Sequence, residues 1–309
     1  MLDVVASVGP GMPDEVRDLL ARQTASRGHA GLSESRLRAL DAAARDDGDL
    51  VAASARRADD GALLGWAQVD GGGDGRVPTL EVVALGSTGQ EDGPLLGRLA
   101  DAALAASGRP DGSPVRWWVT HAGADDDARA RTRGFRVERD LLQLRCALPL
   151  PGREGRAAHP PVTTRAFRVG DDEEGWLAQN NRAFADHPEQ GHWDLPTLRE
   201  REHEPWFDAD GFRVLEADGR IAGSCWTKVH AGERPLGEIY VIGVDPDFHG
   251  RGWGRALTEA GFDWLAAAGL TDGMLYVDAA NAPAVSLYRS LGLTTHHVDR
   301  AYLRGSVDG

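Results

Sequence analysis

The sequence predicts a mixed α/β fold, an α+β sheet with flanking helices, built twice along one chain. Three observations carry that prediction. Landmarks recur at nearly one offset: Gly65 and Gly223 stand 158 positions apart, Glu81 and Glu238 157, Gly97 and Gly254 157, Gly134 and Gly292 158. Strand-like and helix-like patterns alternate in the same order in both halves. A β-branched run from Gly237 to Val244 stops at Asp245-Pro246, passes Gly250, Gly252 and Gly254, and enters an amphipathic stretch. The length of 309 residues suits two domains of about 150 residues each.

Each half opens with helical patterns, over 14–25 and 33–45 in the first and over 171–184 and 195–204 in the second. Ser33 is placed to cap its helix. Strands follow at 49–55, 63–69 and 79–85, matched by 212–217, 221–230 and 237–244. A long helix comes next (94–106; 254–268), then a strand (115–120; 273–278), a short helix, and a closing strand (136–148; 294–303). Residues 149–161, rich in Pro, Gly and Arg, read as a linker between domains 1–148 and 162–309.

Composition narrows the function. A formal net charge of −14, from 48 acidic against 34 basic residues, argues against nucleic-acid and anionic-membrane partners, which need a basic face. Cys146 and Cys225 lie far apart in strand-like settings and read as buried thiols. No Cys/His spacing suits a metal, and His187, His192 and His203 fall at irregular intervals, so no metal is expected. Residues 1–10 lack the basic and apolar regions of a leader, and no run approaches the ~18 apolar residues of a membrane span. The expectation is a cytoplasmic, monomeric protein.

The glycine-rich turn points to an anion. Three glycines in five residues let several N–H groups converge, and the following helix adds its own free N–H groups and the positive end of its dipole. Such a strand–loop–helix suits a phosphate or pyrophosphate, with Arg251 and Arg255 adding local positive charge.

His249-Gly250-Arg251-Gly252-Trp253-Gly254 resembles the Gln/Arg-x-x-Gly-x-Gly/Ala signature of the GNAT superfamily of acetyl-CoA-dependent N-acetyltransferases, with His in the first place. Asn281-Ala282-Pro283-Ala284-Val285-Ser286-Leu287-Tyr288, followed by Gly292-Leu293, is similar to that superfamily's second element, with Leu293 in place of Phe. The tandem copies, the segment from Asn180 to Gly191, the strand from Gly237 to Pro246 and the closing Val298 to Tyr302 look like the mycothiol synthase family. That resemblance implies two tandem GNAT acyltransferase domains, acetyl-CoA as cosubstrate, and acetylation of the cysteinyl amine of cysteinyl-glucosaminyl-inositol (Cys-GlcN-Ins). The alternatives are a tandem GNAT acting on another small amine, such as an aminoglycoside or a protein N-terminus, and a binding module without turnover. The presence of Glu238 and Tyr288 argues against the last.

The resemblance also distributes roles. Ile242, Gly243 and Val244 would line the pantetheine arm, with the Val244 N–H facing the thioester oxygen. His249, Gly250, Arg251, Gly252, Trp253, Gly254 and Arg255 would wrap the pyrophosphate, and Asn281, Ala282, Pro283, Ala284, Val285 and Ser286 would complete the cofactor site. Glu238 would act as base, directly or through water, and Tyr288 as acid toward the departing thiolate. Glu34, Glu189, Lys228, Glu238 and Tyr276 match substrate-contacting positions; Lys228 is the chain's single lysine. Trp193, Trp206 and Trp226 are assigned to core packing over sugar stacking. The first copy reads as non-catalytic, a structural partner. Its loop carries Glu91 and Asp92, and Ala130 stands where the second copy has Tyr288.

Overall fold

The computed structural model describes residues 2–9, 13–27, 29, 31–33, 36–37, 39–40, 50–70, 76–85, 92–110, 112–151, 162–185, 191–232 and 234–306. Contacts gather the chain into two compact units, Met1–Leu141 with His297–Gly309, and Leu142–His296. The sequence placed its boundary in the 149–161 segment. The contact division falls elsewhere because two long strands, β6 (Arg136–Ala147) and β12 (Thr294–Arg304), each contribute residues to both units.

In the first unit β1 (Leu2–Gly9), β2 (Leu50–Arg57), β3 (Leu63–Val69) and β4 (Thr79–Ala84) form an antiparallel run, with α1 (Pro13–Arg27) between β1 and β2. After α2 (Asp92–Ala106), β5 (Val115–Val119) lies parallel to β4, and β12 pairs antiparallel with β5 from Arg300 opposite Val119 to Arg304 opposite Val115. The short helix α3 (Ala124–Arg131) leads into β6. The strand β1 was not among the sequence expectations.

The second unit repeats the plan. β7 (Thr164–Ala166), another element absent from the expectations, starts an antiparallel run through β8 (Phe212–Ala217), β9 (Arg220–His230) and β10 (Leu236–Val244). α4 (Glu173–Ala183) and α5 (Leu195–Glu202) precede β8; Asp194 caps α5 by accepting the Thr197 amide at 2.9 Å. α6 (Trp253–Ala267) crosses to β11 (Asp272–Asp278), which is parallel to β10, and α7 (Ala282–Ser290) follows. The mixed parallel and antiparallel pairing and the tandem plan match the sequence expectation.

Apolar side chains cover both faces of the second unit's strands. Leu257, Phe262 and Leu265 of α6 pack with Cys225, Ile239 and Leu275 on one face. Trp176 of α4 and Leu198 of α5 pack with Phe212, Trp226 and Val241 on the other. Alternation along the strands produces this two-sided burial. The repeat landmark Gly65/Gly223 has a packing cause. A Cβ on Gly65 would meet Leu99 of α2 at 2.5 Å, and one on Gly223 would meet Leu257 of α6 at 2.9 Å. Each unit needs a bare backbone there for its crossover helix to lie close to the sheet. Both cysteines are free and buried. No helix among the described residues is long and apolar enough to cross a membrane, and no cluster among them suits a metal.

Candidate active site

β10 organises the site. Its register on β9 shifts between Ile239, opposite Thr227, and Val241, opposite Trp226, so Tyr240 is an extra residue in a β-bulge. Tyr240 and Val241 consequently both pack on the α4 side, while Ile239 and Ile242 pack on the α6 side. The pairing of β10 with β11 covers Gly237 to Ile239 opposite Gly273 to Leu275, and β10 continues past it to Val244. The strands splay.

The Asp245 amide donates to the Ala222 carbonyl at 2.9 Å, which makes these two residues a hydrogen-bonded pair. Antiparallel alternation then turns the amides of Val244 and Ile242 away from β9, toward the splay. An open row of main-chain donors faces the gap on the strand that the sequence assigned to a pantetheine arm.

Beyond Val244 the chain turns through a 3-10 segment, Pro246–Phe248, anchored by Asp245. That carboxylate is fully buried, accepts the Asp247 amide at 3.0 Å, and pairs with Arg182 and Arg220, each at 2.9 Å. Burial works to raise its pKa, but the two guanidiniums and the amide outweigh it and hold the group below the usual carboxylate range. His249 folds back so that its Nε2 lies 3.0 Å from the Val244 carbonyl oxygen. Gly250 and Gly252 have φ of 78° and 77°, and Gly252 is the N-cap of α6. This left-handed geometry turns the loop into the helix N-terminus, where free N–H groups gather. Arg251 stacks over Phe248 and Trp253, with its guanidinium carbon 4.9 and 5.2 Å from the ring centres. Arg255 instead bonds Ser290 on α7 and lies 3.6 Å from Glu259.

α7 starts at Asn281, whose Oδ1 accepts the Ala284 amide at 3.2 Å, with Ala282 and Pro283 in the first turn. Tyr288 is 7% exposed and packs in the α6-side core with Val285. Burial, and then the neighbouring Cys225, push its phenol pKa upward, so the hydroxyl keeps its proton at neutral pH.

Glu238 sits across from Lys228 on β9 and Met274 on β11. It is 7% exposed, and its Oε2 lies 2.7 Å from His230 Nε2. The Lys228 ammonium rests 4.4 Å from the Trp206 ring centre and 5.3 Å from that of Tyr240. Tyr276, two residues beyond Met274, shares this face by strand alternation. Its hydroxyl accepts from Gln143 Nε2 at 2.8 Å, and Gln143 Oε1 accepts from Arg145 at 2.7 Å. Trp193, Trp206 and Trp226 pack with the α4-side core, as expected. Glu238, Lys228 and Tyr276 thus share one face, whereas Tyr288 lies on the α6 side. Glu34 and Glu189 fall outside the described residues.

A family model described as the acetyltransferase (GNAT) family matches residues 176–293. The mycothiol acetyltransferase of Streptomyces coelicolor is 40% identical over 97% of this chain and 94% of its own length. That of Geodermatophilus obscurus is 42% identical over 93% of this chain and 92% of its own length. The chain belongs to the mycothiol acetyltransferase family. Among solved structures, a GCN5-related N-acetyltransferase from Sphaerobacter thermophilus superposes with a TM-score of 0.71 at 22% identity, covering 99% of this chain and 98% of that one. A tandem GNAT protein from the clavulanic acid biosynthesis pathway does so with a TM-score of 0.64 at 15% identity, covering 100% and 99%. These neighbours share the fold.

As a mycothiol acetyltransferase family member the chain is an N-acetyltransferase, and three side chains at its site escaped sequence reasoning. His230 meets Glu238 only through the β9–β10 hairpin register. Gln143 and Arg145 stand on β6, which the sequence gave wholly to the first copy; no local pattern marks them. In the first unit Glu81, the counterpart of Glu238, is 2% exposed and accepts the Ser33 amide at 2.7 Å, the Ser33 hydroxyl at 2.6 Å and Arg36 Nε at 3.3 Å. Ala130, the counterpart of Tyr288, is buried on α3. Residues 86–91 of the acidic loop lie outside the described residues.

Proposed function

We propose that the second unit transfers the acetyl group of acetyl-CoA to the cysteinyl amine of Cys-GlcN-Ins. The observation that carries this reading is the splay of β10 from β11, with its row of amides between Glu238 on one face and Tyr288 on the other. Acetyl-CoA supplies a thioester carbonyl for the amine to attack. The Val244 amide faces the position where negative charge develops on the carbonyl oxygen, and a fixed donor there favours the transition state over the ground state. The backbone of Ile242 and Gly243 holds the pantetheine arm. Residues His249 to Arg255 and the N-terminus of α6 receive the pyrophosphate, and the start of α7 borders the same groove.

Glu238 accepts the proton that the cysteinyl ammonium must lose before it attacks, either at its carboxylate or through a water. The Tyr288 hydroxyl gives its proton to the departing thiolate. Lys228, with its ammonium held against aromatic rings, and Tyr276 contact the hydroxyl-rich remainder of the acceptor. The test is acetylation of Cys-GlcN-Ins, GlcN-Ins and a generic aminoglycoside by the purified chain. Selective turnover of the cysteinyl compound is expected. Preference for the aminoglycoside or for GlcN-Ins overturns the substrate, and absence of any transfer overturns the reading.

A further inference from the structure

We infer that His230 is a positioning residue for the base: its imidazole fixes one carboxylate oxygen of Glu238 and leaves the other for the acceptor amine. The inference rests on the reading of Glu238 given above.

The arrangement follows from the hairpin. Glu238 stands opposite Lys228, and His230 stands opposite Leu236, so His230 is the diagonal neighbour of Glu238 on the same face. Diagonal neighbours on a pleated sheet lie within reach of long side chains. The observed contact is His230 Nε2 to Glu238 Oε2, 2.7 Å. An ionised carboxylate only accepts hydrogen bonds, so the proton on this contact belongs to Nε2. No second hydrogen bond to Glu238 is made among the described residues, which leaves Oε1 as the oxygen able to take a proton.

Burial makes the contact matter. The Glu238 side chain is 9% exposed and the His230 side chain 38%. A carboxylate this buried has little water to orient it, and it can swing about its last torsion, which is broad and roughly two-fold. A single N–H from a neighbouring strand removes that freedom. The partly exposed ring also means that its replacement leaves no large cavity in the core.

The test compares steady-state kinetics of His230→Ala, His230→Gln, Glu238→Gln and the double variant Glu238→Gln/His230→Ala in the full chain. A glutamine places an N–H near the position of imidazole Nε2. His230→Ala is expected to lower kcat about 10- to 100-fold, the range lost with a hydrogen bond to a charged group, while KM for acetyl-CoA stays within about 2-fold. His230→Gln should recover most of that loss. In the Glu238→Gln background, His230→Ala should cost less than about 2-fold more, because the two act as one unit. Wild-type kcat in His230→Ala, or a loss that glutamine does not rescue and that adds fully to Glu238→Gln, overturns the inference. If Glu238→Gln itself keeps wild-type kcat, the reading of the base fails; if Glu238→Gln is impaired and His230→Ala is not, only the positioning role fails.

Discussion

At the scale of single residues, the proposed chemistry turns on Tyr288 and Glu238, both 7% exposed. Tyr288 is nearly enclosed, and its raised pKa keeps the phenol protonated, which suits a donor to a thiolate. Tyr288→Phe is therefore expected to lower kcat by roughly 10–10²-fold. KM for acetyl-CoA should change little, because the ring still fills its place in the core. Unchanged kcat in steady-state assays removes the acid role. Glu238→Ala should cost about 10²–10⁴-fold in kcat if the carboxylate is the base. A pH–rate profile that keeps its acidic limb in that variant assigns the base elsewhere. Glu238, Tyr288, Lys228 and Tyr276 could be put forward as candidates from the sequence because each stands at a motif position or in a strand beside one. His230 could not, since a diagonal contact depends on hairpin register, which residue identity does not specify.

At the scale of elements, the sequence located most helices and strands within one or two residues, because periodicity and glycine or proline punctuation mark where an element begins and ends. It said nothing of the bulge at Tyr240, which sets the faces of Val241 and Ile242. Nor did it disclose that β6 and β12 each contribute to both units; a strand pattern shows which face is apolar, never which strand lies alongside. Gln143 and Arg145 were missed for that reason. The loop into α6 offers an element-level prediction. Gly252 holds φ of 77° as the helix N-cap. An alanine in that conformation costs about 1–2 kcal/mol, and relief of the strain would re-aim the amides at the head of α6. Gly252→Ala should raise KM for acetyl-CoA about 10-fold with a smaller effect on kcat, measured by acetyl-CoA titration at saturating acceptor. An unchanged KM would mean that the pyrophosphate lies elsewhere.

At the scale of the whole molecule, the two units hold one strand position in different surroundings. Glu238 has a single hydrogen-bond partner among the described residues, His230. Glu81 is closed in by the Ser33 amide and hydroxyl and by Arg36, which is itself paired with Asp70. Ala130 stands at the position matching Tyr288, so neither matching position of the first unit offers an open carboxylate or a phenol. Combining Glu238→Gln with Tyr288→Phe should accordingly lower kcat by about 10³–10⁶-fold, the remainder coming from the Val244 amide and from positioning; a double variant that stays within about 10-fold of wild-type kcat would locate a second centre. Glu81 also ties stability to pH. Burial raises its pKa from 4.5 to about 7, against the opposing pull of Arg36 and Ser33. A carboxyl with a raised folded pKa binds its proton more tightly when folded. Between about 4.5 and about 7 the folded unit keeps that proton while the unfolded chain has lost it, so stability declines as pH rises through this window and levels off above it. The decline should be on the order of 3 kcal/mol, at 1.36 kcal/mol per pKa unit. Thermal unfolding followed from pH 5 to pH 8 should show Tm falling in the wild type by about 2–4 °C per kcal/mol. In Glu81→Gln, which cannot titrate, that component should vanish whatever the variant's absolute stability. Parallel Tm curves for the two proteins would show that Glu81 is ionised throughout, held so by Arg36 and Ser33.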